Sequence, residues 1–168
     1  MTFDPLMTAP FEIQLHVGFA AIAIFLGPIA LYRQRRDLIH KISGYIWVSG
    51  IAGLAITGLF IESEFAIVGR FGPIHLFSFL ALWGVIDGMR DARKGDIRSH
   101  QATMQSIWYG AMGITGLLTL LPGRTLNRVV FGEPSLWGFA LIAVGGVGLG
   151  WLWLRSRRSR RGALLRRV

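Results

Sequence analysis

Five apolar stretches constrain this chain more than any other feature, each close to the roughly 20 residues a helix needs to cross a hydrocarbon layer. They cover residues 11–32, 39–61, 71–89, 101–121 and 136–154. Inside lipid every backbone N–H and C=O must be satisfied by the protein, so only helices or a closed barrel can span, and uninterrupted apolar runs select helices. The composition agrees: among 168 residues 52% are hydrophobic and only 16% charged, against about 25% charged in an ordinary soluble domain. The expected fold is an all-α integral membrane protein with five transmembrane helices. The absence of cysteine excludes disulfides, thiolate-bound zinc, iron–sulfur clusters and a thiol nucleophile. The N-terminal segment lacks a basic region and a small-residue cleavage site, so no removable signal peptide is expected.

The net charge of +9 would suggest a nucleic-acid partner in a soluble protein. Here its distribution reports topology. Arg33, Arg35, Arg36, Lys41, Arg90, Arg93, Lys94, Arg98 and seven arginines after residue 154 fall on one side, and only Arg70, Arg124 and Arg128 on the other. By the positive-inside rule the first side is cytoplasmic, which places the N-terminus outside and the C-terminus inside. Trp83, Trp137, Trp151 and Trp153 lie near span ends as interfacial anchors. The tail RSRRSRRGALLRRV is read as an anchor to anionic lipids. It has no interleaved aromatic residues for stacking on bases, so no nucleic-acid partner is expected. The organisation expected is a four-helix membrane domain over 1–128, a fifth helix over 129–154, and a basic cytoplasmic tail over 155–168.

The four histidines, His16, His40, His75 and His100, each lie near the start of a different one of the first four spans. Because spans alternate in direction, His16 and His75 belong to the outer half and His40 and His100 to the inner half. The second and fourth spans share the pattern H-x9-G-x2-G, with Gly50 and Gly53 matched by Gly110 and Gly113. The chain therefore reads as two similar halves forming a 2+2 parallel repeat. In an up-down bundle the first and third helices are diagonal, as are the second and fourth. Paired imidazoles at one depth, both facing the axis, have the arrangement that ligates a haem iron. Room for the macrocycle is expected along the stripe His16, Ala20, Ala23 and Gly27, and at Gly44. The outer pair lies about one turn deeper and is the better expected site. Arg124 is expected at the outer level, where it can pair with a propionate or an anionic headgroup, as can Arg70. Asp87 is expected to pair with a nearby arginine. Met104, Tyr45, Trp47, Trp108 and Tyr109 suit either core packing or contact with a flat ligand. Neutral imidazoles also suit zinc, copper or non-haem iron, a proton relay, or a structural polar network.

The run LHVGFAAIAIFLGPIALY–RQRRDLIHKISGYIWVSG, with HLFSFLALW, ARKGDIRSHQATM and LLPGRTLN, resembles the bacterial membrane proteins grouped as "domain of unknown function 2306" over residues 11–128. The family pattern has His-Arg and a Trp-Met pair at the last histidine, whereas this chain reads His100-Gln101-Ala102-Thr103-Met104. The resemblance implies a multi-span protein of the bacterial inner membrane with four matching histidines. The four-helix, four-histidine plan is also similar to that of transmembrane di-haem b-type cytochromes. The leading expectation is a membrane electron-transfer protein with one or two haem b groups, His16 and His75 holding the outer, His40 and His100 the inner, and a quinone as partner. Two other readings stand beside it. One is a non-catalytic accessory subunit of a larger membrane complex or homo-oligomer; the other is a small transporter or metal-handling protein.

Overall fold

The computed structural model describes residues 3–33, 35–63, 65–132 and 135–165, with side chains described as far as Arg155. Among these residues the chain is all-helical: α1 (Asp4–Met7), α2 (Phe11–Tyr32), α3 (Leu38–Phe60), α4 (Ile74–Lys94), α5 (Ile97–Ser106), a π-helical segment (Ile107–Met112), α6 (Gly113–Leu118), α7 (Thr125–Phe131) and α8 (Trp137–Leu165). It divides into two compact units, Leu6–Met112 and Gly113–Val168 with Met1–Pro5.

Local chemistry sets the helix ends. Asp37 caps α3 by accepting the His40 N–H at 3.1 Å, and Asp96 caps α5 by accepting the Ser99 N–H at 3.0 Å. Such caps satisfy amide donors that the first turn leaves without partners. Pro73 stands at the N-cap of α4, so Phe71 and Gly72 fall outside a helix that the hydropathy pattern starts earlier. Gly95, at φ 82°, ends α4 in the left-handed region, where a side chain would be strained. α2 runs through Pro28 without a break.

In the first unit α2 packs on α3, α3 on α4, α4 on α5, and α5 reaches back to α2. The core is narrow. Ala23, Ala30, Trp47, Ile51, Ala55, Ala81, Val85, Met104 and Ile107 are buried there. Glycines set the helix spacing: Gly50 takes Ile22, Gly53 takes the Phe19 ring, Gly84 takes Ile107 and Gly88 takes Met104. The Trp47 indole N–H donates to the Ala23 carbonyl at 3.1 Å, and the Trp108 ring lies over Gly27. The small-residue stripe expected to leave room for a macrocycle is therefore filled at Ala23 and Gly27 by two indoles.

The fourth apolar stretch is not one regular α-helix. A π-helical segment interrupts it, and such segments are rare and concentrate at functional sites. It carries Trp108 to Gly27 and Tyr109 to a hydroxyl–hydroxyl contact with Tyr32. Gly110, the expected counterpart of Gly50, has open space beside it, so the two glycine pairs play different packing roles.

In the second unit α6 packs against α8, with Gly145 taking Leu117. Asn127 is fully buried. Its amide donates to the carbonyls of Leu120 at 2.8 Å and Ser135 at 3.0 Å and accepts the Ser135 N–H at 2.9 Å. It thereby ties the segment before α7 to the start of α8. The α8 backbone stays helical through Leu165, beyond the point where the apolar run ends.

Among the described residues three helices, Phe11–Tyr32, Leu38–Phe60 and Trp137–Arg155, are long and apolar enough to cross a membrane. Their 19 to 23 residues rise about 29–35 Å at roughly 1.5 Å each, the thickness of a bilayer core. Phe25, Trp83 and Val147 are among many large apolar side chains more than 70% exposed, a surface that water would penalise and lipid would not.

Candidate functional site

The four histidines differ in what their ring nitrogens already bond. That difference singles out the inner pair. His100, in the first turns of α5, donates its Nδ1 proton to the Gly88 carbonyl of α4 at 2.8 Å. A carbonyl only accepts, so Nδ1 carries the hydrogen and Nε2 is left with a lone pair. A backbone acceptor behind one nitrogen is the usual device for orienting a metal-ligating imidazole. His40, in the first turn of α3, has its Nδ1 buried with no hydrogen-bond partner. A buried polar atom left this way costs roughly 1–3 kcal/mol unless a ligand or water satisfies it.

His40 and His100 both line one cavity of about 250 Å³, at the end of the unit where α3 and α5 begin. Trp47, Met104 and Gly44 form part of its wall, and nothing lies within 4 Å of where a Cβ on Gly44 would stand. Arg33, Arg36, Lys41 and Arg93 also line it, and among the described residues no carboxylate does. Of these four cations Arg33 is paired with Asp37, which leaves Arg36, Lys41 and Arg93 as the cavity's positive charge. The arrangement suits a flat, partly apolar ligand with acidic groups on one edge.

Asp37, which sequence reasoning did not single out, stands behind this wall. Its carboxylate pairs with the Arg33 guanidinium through Nε at 2.8 Å and through Nη2, and it also accepts the His40 N–H. These bonds hold its carboxyl well below the usual carboxylate range, the Arg33 hydrogen bonds contributing most. One acid thus fixes a cavity cation and the turn that carries a cavity histidine. The legible signal was an Asp three residues before a histidine at a helix start.

The outer histidines are engaged differently. His75 is 3% exposed, and both nitrogens are used by nearby backbone. The Gly72 N–H donates to Nδ1 at 3.1 Å, and Nε2 donates to the Ile61 carbonyl at 3.1 Å. Phe71 packs its ring edge to face at 5.0 Å. The imidazole is the centre of the loop between α3 and α4, and iron ligation by it would require releasing Ile61. His16 Nδ1 lies 3.1 Å from Thr57 Oγ1, and the imidazole also bonds the Leu54 backbone. The Thr57 hydroxyl gives its proton to the Gly53 carbonyl at 2.8 Å, so it accepts from His16.

Arg124 belongs to the second unit, at the N-terminal boundary of α7. Asp87 makes no ion pair with an arginine; among the described residues the ion pair found is Arg33–Asp37. No group of three or more His, Asp or Glu side chains is placed to hold a bare metal ion among the described residues. Arg166, Arg167 and Val168 of the basic tail lie outside the described residues.

A family model described as "Predicted membrane protein (DUF2306)" matches residues 13–154. No curated protein and no solved structure matches the chain.

Proposed function

The chain belongs to the DUF2306 family of predicted membrane proteins, and on that footing we propose that it is a membrane electron-transfer protein whose His40 and His100 would hold the iron of a haem b. One observation carries the reading: His40 and His100, from different helices, line the same cavity, one ring oriented by Gly88 with Nε2 left unbonded, the other with Nδ1 buried without a partner. Haem supplies one-electron chemistry; the protein supplies ligands, burial and charge. Gly44 leaves open space on one wall, and Arg36, Lys41 and Arg93 offer partners for carboxylates, Arg33 being taken by Asp37. The inner pair is thus favoured over the outer pair, the reverse of the order that depth along the sequence suggests.

The same reading takes the five apolar stretches as five spans of the bacterial inner membrane. The N-terminus is outside, the C-terminus is inside, and the basic end of α8 lies on anionic lipid. The cavity supports a second reading. At about 250 Å³ it is just below the roughly 300–1,000 Å³ common for small-molecule sites, which favours a smaller anionic amphiphile such as a lipid headgroup.

The deciding measurement is a reduced-minus-oxidised visible spectrum, with iron analysis, of protein purified from haem-replete cells. A b-type α-band that disappears in His40→Ala and in His100→Ala but persists in His75→Ala is expected. Colourless, iron-free wild-type protein would overturn the haem reading, and co-purified anionic lipid lost on Arg36→Ala and Arg93→Ala would then support the second.

A further inference from the structure

The connection between α3 and α4 shows the wrong side chains for a loop in water. Phe65, Ile67 and Val68 are each more than 70% exposed, where a solvated turn carries polar residues. Exposed apolar clusters of this kind mark a surface that meets a membrane or a partner. The cluster continues the apolar surface of the helices it joins: Ile56 and Phe60 at the end of α3 and Leu76 and Phe79 at the start of α4 are exposed as well. Exposed Phe11 stands at the same end. α2 runs antiparallel to α3, with Ile22 beside Gly50, Phe19 beside Gly53 and His16 beside Gly58.

The loop is built, and its backbone is paired from within. The chain turns at Gly69, φ 58°, where the Phe71 N–H donates to the Val68 carbonyl at 2.9 Å. The Phe71 carbonyl in turn accepts the Ile67 N–H at 2.7 Å and the Val68 N–H at 3.2 Å. Ser63 N–H reaches the Arg70 carbonyl at 3.1 Å, and Phe65 N–H the Ser63 hydroxyl at 3.3 Å. His75 closes the base between Gly72 and Ile61. Gly72 lies so close to the Phe65 carbonyl and Ser63 that a Cβ there would not fit. Irregular backbone enters an apolar layer only when its polar groups are already satisfied, and these bonds satisfy those around the apolar tip.

Two features select lipid rather than protein as the occupant. The loop starts directly after a helix long and apolar enough to cross a membrane, and His75 pins it there, so it stays at the level where that span leaves the hydrocarbon. Arg70, exposed next to the turn, has a stem long enough to keep its cation at lipid phosphate while its neighbours sit deeper. We propose that residues 65–71 form a wedge seated in the interfacial layer of the leaflet at this end, with Phe65, Ile67 and Val68 at the top of the acyl chains and Arg70 on a lipid phosphate. The wedge stands whether or not the inner cavity holds haem.

The chain has no cysteine, so Ile67→Cys provides a single thiol for an environment-sensitive fluorophore, at a side chain whose exposure makes its replacement harmless to packing. The test is the emission of that label on the full chain in phosphatidylcholine nanodiscs, with and without lipid carrying a nitroxide at the top of its acyl chain. Lys94→Cys, exposed in the last turn of α4 at the other end, is the aqueous reference. The Ile67 label is expected to emit to the blue of the reference, to lose intensity severalfold with nitroxide lipid, and to resist quenching by iodide. Val68→Cys is expected to report the same. Arg70→Gln is expected to raise iodide access to the Ile67 label, and unchanged access would remove the phosphate contact. A blue shift that nitroxide lipid does not quench would show protein covering the loop, and emission like that of the Lys94 label would show water around it. Either result would overturn the proposal.

Discussion

Two glycines on the same unit, given the same added methyl group, are expected to respond in opposite ways. At Gly88 a Cβ would collide with the Met104 methyl and stand 3.2 Å from Thr103 Cγ2 and 3.4 Å from Thr103 Cβ. The Met104 terminus can swing aside, but Thr103 Cβ is tied to the α5 backbone, so α4 and α5 must separate by some tenths of an ångström. Overpacking of this kind costs roughly 1–3 kcal/mol. At Gly44 nothing lies within 4 Å, so Gly44→Ala meets no neighbour and gains up to about 1 kcal/mol of helix propensity. Both variants collect that propensity gain, so their difference isolates the collision. For a chain of this size, 1–3 kcal/mol corresponds to a gap of roughly 2–12 °C in melting temperature. The Gly88 carbonyl also holds the His100 ring at 2.8 Å, so the same displacement should loosen that bond. Thermal unfolding in one detergent gives the first readout, and NMR exchange of the His100 Nδ1 proton gives the second. Gly88→Ala is expected to melt lower than Gly44→Ala and to exchange the ring proton faster. Gly44→Ala should instead fill the cavity and reduce uptake of its ligand while leaving the fold intact. Equal melting temperatures and unchanged exchange would show that α4 and α5 are not packed as closely as described, and the account of His100 would go with them.

Other outcomes follow from hydrogen bonds that close only in the folded chain. The Asp37 carboxyl is held low, so what it adds to stability is present above the usual carboxylate range and is lost only as pH falls through its folded value. The difference in melting temperature between wild type and Asp37→Asn should therefore be flat from pH 8 to about pH 5 and shrink below roughly pH 4, where the unfolded carboxyl protonates. A difference that shrinks already near pH 6 would contradict the Arg33 pairing. Asn127→Leu takes the side-chain partner from two carbonyls and one N–H that are part-buried. It should cost about 1–3 kcal/mol in all and expose the segment around α7 to protease. Unchanged proteolysis would count against that role. His75→Ala should raise hydrogen exchange at Gly72 and its neighbours while sparing any visible absorption. Loss of colour in this variant would return His75 to the ligand set.

Much of the fold could be read directly. The long apolar stretches marked α2, α3 and α8, because a bilayer requires about 20 apolar residues in unbroken sequence and that requirement is local. The α4 boundary was missed by three residues at its start, since Pro73 and the fold of the loop around His75 outweigh the apolar character of Phe71. The π-helical segment has no sequence signature of its own. It depends on the docking of Trp108 and Tyr109 against partners on α2. Matching glycines suggested equivalent interfaces, but a glycine pattern records only where a side chain is missing. Ile22 and Phe19 settle beside Gly50 and Gly53, whereas no neighbour comes within 4 Å of Gly110.

The sequence by itself determined that this is an all-helical membrane protein with histidines at helix starts, because apolar run length, charge asymmetry and position along a helix are properties of neighbouring residues. It could not rank those histidines. Whether an imidazole is free to bind anything depends on what occupies its two nitrogens. The occupants come from elsewhere in the chain: Gly88 for His100, Ile61 and Gly72 for His75, Thr57 for His16. Only the packing of α2 to α5 brings them into reach. That packing closes His75, ties His16 to α3, and leaves His40 and His100 lining a common cavity.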